Sequence, residues 1–256
     1  MSFLRSIPWT RQPPHPVPID WGNPLTRGLK RVVVPTSNSE LVTGEALTID
    51  AATVNRSTGK GGKSYFSNTA TASTGISFSK WTNTTTAGSA VIVQKRKGTG
   101  DNEWLELGKF DTADHFTFGG VVYSDPFWNG RWINGVSIPT GKLVTDLHTI
   151  GLSVIDGAQI ATWDGAPWHT NTLTLSFVMP ATLRFLASVT NGFDGDMYGV
   201  FLWERALSAA ELKKIGQNPW QMFVPQKRML VSPAPAAAAS GVFDIFGSGI
   251  IAGVAQ

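Results

Sequence analysis

The sequence predicts an all-β fold, a two-sheet sandwich or jelly roll, and three observations carry that prediction. From about Val32 to Trp203 the chain repeats short runs rich in β-branched and aromatic residues, such as "SAVIVQKR", "EWLELGKF", "HFTFGGVVY", "HTIGLSVI" and "LRFLASV". Clusters of Gly, Asn, Asp and Pro divide the runs at regular intervals, which is the punctuation of a sandwich or barrel. No convincing long helix interrupts them.

The elements follow in order. Residues 1–35 read as an extended arm, because five prolines fall between Pro8 and Pro18 and each fixes φ and removes a backbone donor. Trp9, Trp21 and Leu25 are candidate anchors of this arm on a neighbouring surface; a loose leader is the alternative. Residues 36–218 are assigned to the β domain. Within it Leu173, Leu175 and Phe177 alternate with Thr172, Thr174 and Ser176, the period of a strand with two unlike faces.

Near the end, "NGFDGDMYGVFLWERALSAAEL" reads as a closing strand followed by a helix start. Strict alternation puts Met197, Gly199, Phe201 and Trp203 on one face, and Asp194, Asp196, Tyr198, Val200 and Leu202 on the other. Ser208 and Glu211 form a capping box, with Leu207 placed to staple onto Leu212, and the helix is expected to stop at Asn218–Pro219. Residues 219–240 form an exit segment and an Ala/Pro linker. Residues 241–256 form an apolar peptide whose Phe243, Ile245 and Phe246 suit docking on a partner; a disordered tail is the alternative.

Composition narrows the function. Charged residues are 15% of the chain, against about 25% in ordinary globular proteins, and they accompany 10 Trp and 14 Phe. Such a surface suits a protein covered by neighbours in a homo-oligomer or larger assembly, although a Thr/Ser/Gly-rich β surface also needs few charges. The net charge of +3 is scattered and no recognition module is visible, so nucleic acid is not an expected partner. The absence of cysteine excludes disulfides and thiolate chemistry. No stretch of eighteen apolar residues reads as a membrane span, and the N-terminus lacks the apolar core of a signal peptide, so synthesis in a cytoplasm without membrane insertion is expected.

The strand opened by Phe-Asp-Gly-Asp, its Val-Phe-Leu-Trp centre and the "RALSAAEL" that follows resemble the end of concanavalin A-like lectin/laminin G-like jelly rolls. "LHTIGLSVIDGAQIATWDG" is similar to the paired strands of the same domains. Outside the domain, "IDWGNPLTRGL" and "NPWQMFVP" resemble a leader and an exit that flank such jelly rolls in tailed-phage and prophage proteins. The resemblance implies a virion structural protein, a head decoration or capsid-fibre protein in preference to a tail protein. It further implies other virion subunits as partners, a place on the virion surface, and possible contact with host-surface glycans. A carbohydrate-binding receptor-recognition protein is the alternative.

Enzymatic signatures are sparse. Glu103 and Glu106 stand three apart on a strand and so point to opposite faces, unlike the paired carboxylates of a glycosidase. "TGKGGKS" has Ser57 where a phosphate loop needs its first glycine, and no helix pattern follows. His15, His115, His148 and His169 lie far apart, and no serine sits in a nucleophile elbow, so no catalytic residue and no cofactor is assigned. Asp194 and Asp196 are candidate ligands of calcium, which needs six to eight oxygens; solvating a turn is the plainer role of two carboxylates. Phe127, Trp128, Asn129, Arg131, Trp132 and Asn134 form a candidate glycan or partner surface, because aromatic rings stack on pyranoses and amides bond their hydroxyls; core packing of the two tryptophans is the alternative.

Overall fold

The structure is a computed structural model that describes residues 3–7, 10–50, 54–59, 62–68, 75–79, 87–96, 102–110, 114–122, 126–128, 136–137, 147–155, 158–171, 182–185 and 195–230. Its strands are numbered in chain order. The main sheet joins β2 (Leu29–Val33), β4 (Val54–Thr58), β5 (Ser64–Asn68), β7 (Gly88–Arg96), β12 (Leu147–Ile155), β13 (Ala158–Trp163), β14 (Ala166–Asn171) and β16 (Gly195–Trp203). Its antiparallel order is β14-β13-β12-β7-β16-β5-β4, with β2 pairing the second half of β16. Two smaller sheets complete the domain: β15 (Thr182–Phe185), β6 (Ile76–Ser79) and β3 (Thr48–Ile49) form one. The other comprises β8 (Asn102–Phe110), β9 (Asp114–Val122), β10 (Pro126–Trp128) and β11 (Val136–Ser137). Strand β15 runs beside β8.

This architecture is the β-sandwich that the sequence predicts. The domain is one compact unit over Pro8–Pro225; a second unit contains β1 (Phe3–Ile7) and β17 (Gln226–Leu230), which pair antiparallel from Phe3 opposite Leu230 to Ile7 opposite Gln226.

Strand β16 organises the main sheet. All nine of its residues are buried, so it has no solvent face. On the sandwich side Val200 and Leu202 lie with Val33, Ala90, Ile92, Ile150, Leu152 and Trp163, all at most 2% exposed. On the outer side Phe201 and Trp203 join Leu29, Val32, Val91 and Val93 in a second cluster. Residues from outside the sheet cover that cluster: Leu207, Leu212 and Ile215 from the helix region, Trp220, Met222 and Phe223 from the exit, and Ile19 and Leu25 from the leader.

The face assignment made from strict alternation needs one correction. Met197 pairs with Gln94 and Gly199 with Val93, so an extra residue, Tyr198, is accommodated in β16. This one-residue bulge shifts the strand's phase. Tyr198 therefore lies in the outer cluster with Phe201 and Trp203 instead of opposite them. The bulge ends at Gly199, where a Cβ would press on the Trp220 ring at 3.2 Å.

The short helix α1 (Ala209–Gln217) starts as the sequence predicts. The Ser208 hydroxyl accepts the Glu211 amide at 3.3 Å, and the Glu211 carboxylate accepts the Ser208 amide at 2.9 Å. Arg205 adds a bidentate pair to Glu211 at 2.7 and 3.1 Å. At its other end α1 rests on the two-residue β13–β14 turn, Asp164–Gly165, whose φ angles of 51° and 76° are those of a tight hairpin turn. Helix and turn approach so closely that a Cβ on either Gly165 or Gly216 would strike the other's backbone or that of Lys213.

The Arg205 hydrogen bonds hold the Glu211 carboxyl at about 2; burial opposes the shift, and the Ser208 amide and hydroxyl add to it. A carboxyl that titrates at 4.5 when unfolded and at about 2 when folded stabilises the fold above pH 4.5, and loses that contribution as pH falls towards 2. Thermal melts are expected to place Glu211→Gln below the parent protein at pH 7, with the gap closing between pH 4.5 and 2. A gap that stays constant with pH would show that the carboxylate charge is irrelevant to the cap.

Candidate functional site

The leader and the exit meet over the outer face. Ile19 and Phe223 form an antiparallel bridge, flanked by the Asp20 amide donating to the Met222 carbonyl at 2.8 Å and the Val224 amide to the Pro18 carbonyl at 2.9 Å. The Asn23 side chain has two roles. Its Nδ2 donates to the Gln221 carbonyl at 2.9 Å, and its Oδ1 accepts the Leu25 amide at 3.0 Å, capping the 3₁₀ turn Pro24–Thr26. The Trp203 indole donates to the Leu25 carbonyl at 2.8 Å from within the core. Trp220 and Phe223 stack at 6.3 Å, and both present edges to Phe201. The motifs "IDWGNPLTRGL" and "NPWQMFVP" are thus two halves of one clasp.

Beside this clasp lies a cavity of about 330 Å³. Its floor is Val93, Thr149 and the Tyr198 ring; its sides are Trp220, the end of α1 from Gly216 to Asn218, and leader residues Thr10–Gln12. Lys63, from the loop before β5, stands at the rim with Arg11, and both are exposed.

Gln12 is the residue that joins leader to sheet here. It is 5% exposed, and its Nε2 donates to the Ser64 carbonyl at 2.8 Å and the Tyr198 carbonyl at 3.0 Å. These two bonds orient the amide and leave its Oε1 buried with no partner among the described residues. A buried acceptor in that state carries a desolvation cost of about 1–3 kcal/mol.

Tyr198 is 9% exposed and packs against Tyr65 at 5.5 Å between ring centroids. Burial, followed by the nearby charges of Asp196 and Tyr65, pushes its phenol up to about 12. The hydroxyl accordingly keeps its proton through the physiological range and can donate as well as accept. Asp164 also lines the cavity, but both of its oxygens are engaged within the fold. Oδ1 accepts the Thr149 amide at 2.9 Å, and Oδ2 faces His148 Nδ1 at 2.9 Å. His148 is 8% exposed, and its ring packs at a tilt against Trp163 with 4.5 Å between centroids.

The residues singled out from sequence do not converge here. Phe127 and Trp128 fall on β10, opposite Val121 and Gly120 of β9, while Asn129, Arg131, Trp132 and Asn134 lie outside the described residues. So do Trp9, Asp194, Phe243, Ile245, Phe246 and the alternating run 173–177. Of the leader anchors, Leu25 is 6% exposed in the clasp and Trp21 is 58% exposed. Asp196 is 5% exposed, and no group of three or more His, Cys, Asp or Glu side chains among the described residues could hold a metal ion. Sequence reasoning missed Arg11, Gln12, Tyr198 and Trp220 as a group, since they come from segments about 200 residues apart and a bulge turns one of them, Tyr198, to the outer face of the sheet.

No protein-family model matches the chain, and no curated protein matches it in sequence. Solved structures do resemble it. Domain 4 of AbnA, a GH43 extracellular arabinanase from Geobacillus stearothermophilus solved in complex with arabinotriose, superposes with a TM-score of 0.58 at 15% identity, over 74% of this chain and 98% of that one. The binding domain of Paraclostridial Mosquitocidal Protein 1 gives 0.55 at 12% identity, over 75% of this chain and 52% of that one. Trypanosoma rangeli sialidase, in complex with 2,3-difluorosialic acid, gives 0.53 at 11% identity, over 75% and 33%. The chain thus spans nearly all of the first structure, about half of the second and a third of the last. What these likenesses establish is the fold, a β-sandwich.

Proposed function

We propose that this β-sandwich is a non-enzymatic saccharide-binding module that needs no cofactor, and that the cavity between Gln12, Tyr198 and Trp220 is its binding site. The observation that carries the reading is the orphaned Oε1 of buried Gln12 beside a protonated phenol and an indole wall. A sugar hydroxyl can pair with the phenol and its C–H face can lie on the indole, with the Gln12 amide beside them. The arabinotriose bound to the arabinanase domain, over whose length the likeness extends, supports the same class of ligand. A glycan array probed with the full chain is expected to show saturable binding to a restricted set of saccharides. Silence across the array at millimolar equivalents would overturn the reading.

A second reading concerns where the module sits. The leader and exit that resemble phage-protein flanks are hydrogen-bonded to each other, which supports treating them and the sandwich as one unit of that arrangement. On this reading the protein is made in a host cytoplasm and carried on a tailed-phage virion as a head decoration or capsid-fibre protein, in contact with other virion subunits and with copies of itself. Multivalent display would then offset weak single-site affinity for host glycans. Mass spectrometry of gradient-purified particles should find the chain in many copies per virion; its absence from infectious particles would remove this placement.

A further inference from the structure

The charges around the cavity narrow the ligand class. Arg11 and Lys63 both stand at its rim, and neither side chain has a hydrogen-bond or ion-pair partner among the described residues. Asp164, the one carboxylate lining the cavity among the described residues, has both oxygens engaged by Thr149 and His148. Asp196 does not line the cavity. A ligand entering past the rim therefore meets two cationic side chains that are unpaired among the described residues.

Arginine's planar fork matches a carboxylate with two parallel hydrogen bonds, and lysine adds a point charge. Below the rim, the Tyr198 hydroxyl can donate and accept beside the buried Gln12 amide, which suits a polyol beneath the anion. A volume of about 330 Å³ lies at the small end of the range for ligand cavities, which suits one sugar residue and not a long buried chain.

We propose that the cavity takes a carboxylate-bearing pyranose, a uronic or sialic acid residue of an acidic saccharide, an inference that rests on the saccharide-binding reading above. The carboxylate sits at the rim against Arg11 and Lys63. The ring hydroxyls reach Tyr198, beside the Gln12 amide, and the ring's apolar face lies toward Trp220.

Titration calorimetry on the full chain tests this with ligands matched except for charge: oligogalacturonate against its methyl ester, and sialyllactose against lactose. The acidic member of at least one pair is expected to bind about tenfold or more tightly than its neutral partner, as befits charged hydrogen bonds. That advantage should shrink with added salt. The exposed-site variants Arg11→Gln and Lys63→Gln should remove most of it without moving the melting temperature. Tyr198→Phe, which deletes only a hydroxyl, should weaken acidic and neutral ligands alike. The pair that responds separates uronate from sialate. Equal binding within both pairs, still sensitive to Tyr198→Phe, would overturn the acidic class and leave saccharide binding at the cavity standing. Binding untouched by all three variants would overturn the cavity as the site, and no binding by any of the four ligands would overturn both proposals.

Discussion

Strand β16 is buried along its whole length, and the rest of the domain is arranged around that fact. A sandwich strand ordinarily turns one face to its partner sheet and the other to water. Here the outer face carries Phe201 and Trp203, two large aromatic side chains at most 1% exposed. Leaving them in water would forfeit about 1.5–3 kcal/mol or more for each large side chain. The chain therefore brings its helix, its exit and its leader over the face, and the Trp203 indole, which must find an acceptor once buried, takes it from the Leu25 carbonyl of the leader.

The same covering creates the cavity. Three segments of unrelated sequence converge on a sheet that bulges at Tyr198, and irregular pieces laid on a twisted surface do not fill it completely. What remains is bounded by the end of the helix, by apolar side chains such as Val93 and Trp220, and by polar ones such as Gln12. Glu40 is a buried polar group that the fold satisfies fully: the carboxylate accepts the Val32, Val42 and Thr43 amides as well as the Thr43 hydroxyl. Gln12 Oε1, like Gln94 Oε1 and Thr162 Oγ1, is buried without a partner among the described residues, and of these three residues Gln12 is the one that lines the cavity.

Much of the fold is legible in the sequence because its signals are local. The Ser208–Glu211 box and the proline after Asn218 each act within a few residues, and the structure has them where the pattern puts them. The face of Tyr198 is not legible, because a bulge is decided by pairing with β7, more than 100 residues away in sequence. The leader reads as an arm because prolines suppress any periodic pattern; only its packing on Trp220, Phe223 and Trp203 assigns Leu25 to the core. The cavity is hidden for the same reason. Arg11 and Gln12 sit among prolines and Lys63 in a glycine-rich loop, and nothing in either stretch points to the other.

The central claim is that leader, exit and closing strand form one cooperative unit, so that the cavity wall is as stable as the sandwich. Native-state hydrogen exchange of the Trp203 indole N–H and the Asp20 amide tests it most directly, since both donate across the clasp. The account predicts that they open with the same free energy as the central amides of β16, through global unfolding alone. Exchange of these two protons at a much lower free energy than β16 would mean that the leader lifts off independently, and would contradict it.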